Sequence, residues 1–414
     1  MRQAQVNNDL KINNTLRILR EIRQDGPISR RDIQKSTNLS WGTVSAITTT
    51  LINADILTET DTVETSLGRR PSEVDINNND NLIAGIDLNI SALTVVITDL
   101  KGKLVVKKTS LIVQTDKESV IRGLFFLTDD VFNEVKGKKI LSIGIASQGV
   151  VDIENGISVY SPHFTNWNNV EICKMFEERY DIPSFIFHDP ECVLYSEKFF
   201  SNSYDKAYST SSALIRLDKG VGMSVFTGVG IHQSLGQKAA ELGHITMDIN
   251  GPLCSCGKQG CLETYVSTKE IANRYLEKVN KNNAITEIFN DPDSITYLSL
   301  YDSARNGDTL SIEVYNELGF YLGLAIAHVI NLFCPDEIIL YGTIADIHDI
   351  YKKKMNDTIT ENVFPIYKSQ WEIRYTTILG KDAAAIGGAL SAFESYIDKN
   401  KNFINGNHEV SVKK

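Results

Sequence analysis

What this chain has little of narrows its class before any motif is considered. No run of eighteen apolar residues occurs, so no membrane-spanning helix is expected. The N-terminus, Met-Arg-Gln-Ala-Gln-Val-Asn-Asn-Asp, lacks the apolar core of a secretory leader, and the cytoplasm is the expected compartment. Cysteine is scarce, six in 414 residues, and nothing points to a secreted disulfide framework. Cys173, Cys192 and Cys334 are scattered and are expected to be reduced, buried packing residues. Positive charge is also short. A net charge of −10 argues against non-specific nucleic-acid binding by the whole molecule. The shortage is uneven, because residues 1–54 hold eight Lys and Arg against four Asp and Glu. A basic module attached to an acidic body follows, and the length suits two or three domains.

The other three cysteines are concentrated. Cys254, Cys256 and Cys261 fall within eight residues, with His244 just upstream. Three thiolates and one imidazole are what a closed tetrahedral zinc site needs. Gly257 and Gly260 allow a short loop to turn its sulfurs toward one point, and Gly251-Pro252 marks a turn bringing His244 near them. A metal-free thiol loop is the plainer alternative. Glu241-Leu242-Gly243-His244 followed by Cys-x-Cys-Gly-x-x-Gly-Cys-x-Glu resembles the signature of the ROK family of repressors, open reading frames and sugar kinases.

Residues 13–54 predict three short helices. Leu16, Leu19 and Ile22 give the first an apolar stripe, and Asp25-Gly26-Pro27 ends it. Ser29 caps a second helix from Arg30 to about Thr37, and Ser40 caps a third. In the third, Val44, Ile47 and Leu51 take one side, while Gly42, Ser45, Ala46 and Thr49 take the other. This pattern predicts a helix-turn-helix whose last helix enters the major groove, with Ser40, Trp41, Gly42, Ser45 and Thr49 as candidate DNA contacts. A helical bundle that binds another protein is the alternative. Ile56–Thr58 and Glu73–Asp75 predict the strands of a wing, with Arg69 and Arg70 at its Gly- and Pro-bounded tip, suited to a phosphate or a minor groove. Thr43-Val44-Ser45, Leu51-Ile52 and Gly-Arg-Arg-Pro are also similar to the winged helix of ROK repressors.

From residue 82 the pattern becomes a β-meander, and strands then alternate with helices, which is α/β. The resemblance implies a two-lobed, actin-like ATPase (ROK sugar kinase-like) body. Expected boundaries are a winged helix-turn-helix over 1–78, a first lobe over 79–190, a second lobe with the zinc loop over 191–398 and a polar tail over 399–414.

ROK kinases hold phosphate on a turn resembling Asp-x-Gly-Gly-Thr; here the stretch is Asp87-Leu88-Asn89-Ile90-Ser91. A phosphate cradle needs bare backbone N–H groups, and both glycines are gone. Gly220-Val221-Gly222 remains, whereas Tyr341-Gly342-Thr343 lacks consecutive glycines. The sugar side matches better. His188-Asp189 stands for the family's Asn-Asp, the aspartate being the base toward a sugar hydroxyl, and the His188 departure unsettles hydroxyl selectivity. Glu241, His244 and Glu263 match hexose contacts, and Asn166 and Trp167 match a loop closing over the sugar.

The expectation is a zinc-containing, sugar-responsive repressor that is not an enzyme. It binds operator DNA as a dimer or higher oligomer and takes its sugar in the interlobe cleft. Xylose, glucose, N-acetylglucosamine and a β-glucoside all suit it, and the family resemblance admits a transporter subunit as regulatory partner. Alternatives are an ATP-dependent sugar kinase with an appended DNA-binding domain, and a DNA-binding protein whose body only oligomerises.

Overall fold

Serine caps set the amino-terminal helices. Ser29 Oγ accepts from the Asp32 amide at 3.2 Å and Ser40 Oγ from the Thr43 amide at 3.1 Å, each cap contributing about 1 kcal/mol. They open α2 (Arg30–Thr37) and α3 (Trp41–Asn53), joined through Asn38 in the left-handed region at φ 53°. The first helix, α1, runs Arg2–Asp25, longer than expected. Its upstream half is polar and gives no apolar period to read. Ile18, Leu19 and Ile22 are buried, and α1 packs against both α2 and α3. The structure, a computed structural model, describes residues 2–60, 64–65, 68–69, 72–78, 81–161, 163–201, 210–227, 240–282, 294–367, 371–375 and 377–400.

The sheet of the wing has one strand more than the sequence suggested, and a two-stranded ribbon follows the strand Leu57–Glu59. β1 (Ile28–Ser29), β2 (Leu57–Glu59) and β5 (Glu73–Ile76) form a sheet ordered β1-β5-β2, with β5 antiparallel to both neighbours. β3 (Glu64–Thr65) and β4 (Gly68–Arg69) pair antiparallel as a separate ribbon.

The chain divides into two units, Met1–Cys192 with Ala384–Lys414, and Val193–Ala383. In the first, β6 (Asn81–Leu88), β7 (Ala92–Asp99) and β8 (Leu104–Leu111) form the meander, followed by α4 (Lys117–Glu134) and β9 (Lys139–Ser147). A small antiparallel sheet comprises β10 (Val150–Asp152), β11 (Ile157–Tyr160) and β12 (Asn168–Val170). Then come α5 (Ile172–Tyr180), β13 (Ser184–His188) and the start of α6 (Asp189–Phe199), a helix that belongs to this unit only through Cys192. The main sheet is ordered β13-β9-β6-β7-β8, parallel from β13 to β6 and antiparallel beyond. β6 is buried along its whole length, as its continuous apolar run requires.

The second unit holds β14 (Ser212–Leu217), β15 (Val221–Phe226), α7 (Glu263–Val266), α8 (Thr268–Asn282), α9 (Tyr297–Arg305), α10 (Thr309–Phe333), β16 (Glu337–Tyr341), α11 (Lys352–Asn362) and β17 (Glu372–Tyr375). Its sheet is ordered β15-β14-β16-β17, with only the β14–β15 pair antiparallel. α10 is long and apolar enough by length and composition to cross a membrane, yet half of its apolar window is buried, and Val314, Leu318, Leu322, Ile326 and Ile330 sit in this unit's core. Cys173 and Cys192 are buried as expected, but Cys334 is exposed. It ends α10 in the left-handed region at φ 45°, which turns it out of the helix packing.

The last helix, α12 (Ala383–Lys399), belongs to the first unit from Ala384 onward. Consecutive boundaries drawn along the sequence leave it with the second. Residues 401–414 of the expected tail lie outside the described residues.

Candidate metal loop, sugar residues and DNA interface

The metal loop is assembled by local hydrogen bonds. The Cys254 amide donates to Lys258 O at 2.7 Å, the Gly260 amide to Pro252 O at 2.7 Å, and the Met247 amide to Gly260 O at 2.7 Å. Gly257 and Gly260 have φ of 87° and 65°, and a Cβ on Gly260 would run into the Asp248 carbonyl. The result draws His244, Cys254, Cys256 and Cys261 together, their donor atoms all within 4.8 Å of one another. Cys254 Sγ lies 3.6 Å from His244 Nδ1, and the Cys256 and Cys261 sulfurs are 3.7 Å apart. A tetrahedral zinc with ordinary Zn–S and Zn–N bonds gives edges of about 3.6 Å for S–N and about 3.8 Å for S–S. The four donors fit such an ion. His244 would bind through Nδ1, which leaves Nε2 for another partner. Lys258 Nζ donates to His244 O at 2.7 Å and fixes the backbone that carries the imidazole.

Two carboxylates flank this loop. Glu241 precedes the short 3-10 turn Leu242–His244, whose His244 amide donates to Glu241 O. Glu263 opens α7, and its Oε2 accepts from the Val221 amide at 3.1 Å. Burial raises the Glu263 carboxyl above its ordinary value, while that amide pulls the other way.

In the first unit, His188 ends β13 and Asp189 begins α6; both are buried, with His188 Nε2 3.9 Å from Asp189 Oδ1. Glu191, which the motif comparison passed over, is buried on the same first turn, and burial pushes its carboxyl up to about 7. An acid two residues beyond Asp189 was its sequence signal. Asn166 is exposed in the left-handed region at φ 60°. Trp167 requires a correction. Its side chain is 1% exposed, its Nε1 donates to Ser158 Oγ at 2.8 Å, and it packs on Phe164. With its single donor used and its ring inside the core cluster, it is a packing residue and offers a sugar nothing.

The stretch that corresponds to the phosphate turn of ROK kinases, expected to have lost its cradle, carries an internal bond. Asn89 Oδ1 accepts from the Ser91 amide at 2.9 Å, so a side chain occupies the donor an anion would need. In the second unit, Asp218 accepts from the Thr343 amide and hydroxyl, both at 2.9 Å, and from Arg216 Nε at 2.9 Å.

On α3, Val44, Ile47 and Leu51 are buried, while Gly42, Ala46 and Thr49 are exposed and Ser45 half-exposed. Trp41 is 49% exposed at the helix start. The Ser40 hydroxyl is committed to capping. Arg30, unnoticed in the sequence, contacts Thr48 Oγ1 at 3.0 Å and Glu59 at 2.8 Å, tying α2 to α3 and the wing. Of the arginine pair, Arg69 lies in β4, with its side chain outside the described residues, and Arg70 lies outside them altogether.

These features define a winged helix-turn-helix joined to an actin-like, sugar kinase-like α/β body. The model of the ROK family matches residues 83–394, and one described as winged helix-turn-helix DNA-binding matches 13–58; the chain belongs to the ROK family. It is 27% identical over 393 residues to the xylose repressor of Bacillus spizizenii, covering 94% of this chain and 96% of that one. It is 27% identical over 373 residues to the DNA-binding transcriptional dual regulator NagC of Escherichia coli, covering 89% and 90%. A solved ROK family transcriptional regulator, a homolog of the E. coli MLC protein, superposes with a TM-score of 0.81 at 28% identity, covering 96% of this chain and all of that one.

Proposed function

We propose that this protein is a sugar-responsive transcriptional repressor of carbohydrate-utilisation genes and not a kinase. The observation that carries this is the pairing of an exposed, small-residue α3 face with a phosphate turn whose Ser91 amide is taken by Asn89. Phosphoryl transfer depends chiefly on positioning and electrostatic stabilisation of the phosphoryl group, so Asp189 without a cradle is a hydroxyl acceptor and no longer a base in turnover. Similarity to the xylose repressor and to NagC supports the same reading.

His188, Asp189, Glu241, Glu263 and His244 Nε2 would recognise the sugar, with Asn166 offering its amide. Carboxylates and imidazole suit a polyol because each pairs with hydroxyls in fixed geometry. One structural zinc on His244, Cys254, Cys256 and Cys261 would orient His244 and hold the loop leading to Glu263. Ser45 and Thr49 would read bases, and Arg69 and Arg70 would contact phosphate or the minor groove. A homodimer in the cytoplasm would bind two half-sites, and a regulatory protein partner fits the same scheme.

A thermal-shift panel of D-xylose, D-glucose, N-acetyl-D-glucosamine and a β-glucoside tests it, since a ligand of the folded state raises stability by mass action. At least one should raise Tm and weaken operator binding. Asp189→Asn and Glu241→Ala should each reduce that response about tenfold or more while leaving sugar-free operator binding intact. Sugar-dependent ATP hydrolysis that Asp189→Asn abolishes would establish the kinase instead.

A further inference from the structure

α12 has two ends that touch different things, all inside the first unit. Its first turns pack backbone to backbone. A Cβ on Gly387 would run into the Cys192 carbonyl of α6, three residues beyond Asp189. Likewise a Cβ on Gly85 of β6 would meet the Ala385 carbonyl, and one on Gly144 of β9 the Gly388 carbonyl. With no side chains between these elements, displacement of the start of α6 has no soft layer to absorb it.

The far end of α12 grips the winged helix. Arg20 of α1 makes a two-pronged pair with Glu394, Nε to Oε1 at 2.9 Å and Nη2 to Oε2 at 2.7 Å. One turn on, Arg23 is buried. Its guanidinium lies 5.1 Å from the centre of the Phe393 ring, and its Nε donates to Leu100 O at 2.6 Å. Lys101, in the turn after β7, pairs with Asp75 of β5 at 2.7 Å and donates to Gly26 O at 3.1 Å. A mobile DNA-reading head on a free tether needs none of these contacts. A two-pronged Arg–carboxylate pair fixes orientation as well as distance, and a cation over an aromatic face adds a second fixed point.

We propose that α12 is the coupling rod of the repressor. Ligand occupancy at the His188–Asp189–Glu191 turn moves α6, α6 moves α12 through Gly387, and the Arg20–Glu394 and Arg23–Phe393 joint passes that movement to α1 and thence to the recognition helix α3. Arg20, Arg23, Phe393 and Glu394 act here as positioning residues, touching neither sugar nor DNA. The proposal rests on the sugar-responsive reading above and adds the route within one unit. Allosteric coupling is a ratio of affinities, commonly about 5–150-fold, and a rod that has lost its joint lowers that ratio without altering either affinity at its own site.

The test measures operator affinity of the full-length protein, with and without whichever of D-xylose, D-glucose, N-acetyl-D-glucosamine or a β-glucoside weakens operator binding in the unaltered protein. Glu394→Gln combined with Phe393→Leu should bring the coupling ratio to within about twofold of one. Sugar affinity by calorimetry and sugar-free operator affinity should stay within about threefold of their starting values. The charge exchange Arg20→Glu with Glu394→Arg should restore coupling that either change alone removes. A residue that merely supports the fold would lower all three quantities together and show no such rescue. An unchanged ratio in the double variant overturns the proposal. A second arm needs no sugar. Hydrogen exchange of α1 should rise in Gly387→Ala. It should rise less in Gly388→Ala, where the added Cβ would stand 3.3 Å from Gly144 O and 3.5 Å from Ala146 N, close enough to press on β9 yet mild enough to fold. If none of the four ligands shifts operator binding, the sugar reading fails; if α1 exchange ignores both glycine changes, the rod fails.

Discussion

The metal loop and the phosphate turn are two glycine-dependent anion and cation sites of one body, and they have gone in opposite directions. Around Cys254–Cys261 the four candidate donors lie within 4.8 Å of one another, Gly257 and Gly260 keep the positive φ that the loop demands, and the His244–Cys254 and Cys256–Cys261 spacings of 3.6 Å and 3.7 Å match the edges of a zinc tetrahedron. At Asp87–Ser91 the glycines are replaced, and Asn89 folds onto the amide that phosphate would use. Selection for turnover would protect the second site, because an anion cradle tolerates no side chain. A metal on the His244–Cys261 cluster, under the proposed reading, would hold the loop that leads to Glu263 and would remain useful to a binding protein. On the proposed reading this body would keep recognition and would have shed phosphoryl chemistry.

The largest effect is expected where the kept site is broken. Cys256→Ser should reduce zinc from about one per chain to near zero by atomic absorption, because structural zinc sites of this kind need all four ligands. Proteolysis should then cut near residues 245–262, and sugar response should fall with the loop that carries Glu263. Full metal content in this variant would mean a different ligand set.

The next effect lies at the other kept function. Arg69→Ala with Arg70→Ala should weaken operator binding roughly tenfold or more and flatten its dependence on salt by about one log unit per lost phosphate contact. Fluorescence anisotropy across a salt series reads both numbers. Unchanged affinity and slope would take the wing out of the interface.

What the sequence disclosed follows the range over which each feature is built. Ser29 and Ser40 announced two helix starts because a cap acts within three residues. The metal loop was legible because its cysteines lie within eight positions. The eroded turn was legible from two missing glycines. Contacts made across the chain were silent. Arg20 meets Glu394 at a separation of 374 residues, and nothing in either local pattern signals the other. α12 falls outside its expected lobe for the same reason, since a chain that returns to its first unit cannot be cut by consecutive boundaries. Trp167 was misjudged because the position matched a sugar loop while burial, which is a property of the packed unit, decided the role.

A smaller effect probes the unit that lost its chemistry. Burial holds the Glu191 carboxyl at about 7 in the folded protein, against about 4.3 in an unfolded chain. The folded state therefore binds the proton more tightly. Stability associated with it is full below the unfolded value and declines as pH rises toward 7, by roughly 4 kcal/mol at most. Glu191→Gln removes that decline. Thermal melts should show the variant gaining on the parent between pH 5 and pH 8, and parallel melting curves at the two pH values would place Glu191 in contact with water.

The smallest effect returns to the DNA-reading end. Ser40 is exposed, which invites a direct base contact, yet its Oγ accepts from the Thr43 amide and lies 2.8 Å from Thr43 Oγ1. Ser40→Ala should cost about 1 kcal/mol of stability by losing the cap. Because the cap fixes where α3 begins, operator affinity should fall by a few-fold and to the same extent for every operator sequence. Ser40→Asp, which keeps a capping oxygen, should recover the stability. It should not recover the affinity, because it sets a negative charge facing the phosphates. If Ser40→Ala instead changes the preferred base at one operator position, the hydroxyl reads DNA directly and the capping assignment is incomplete.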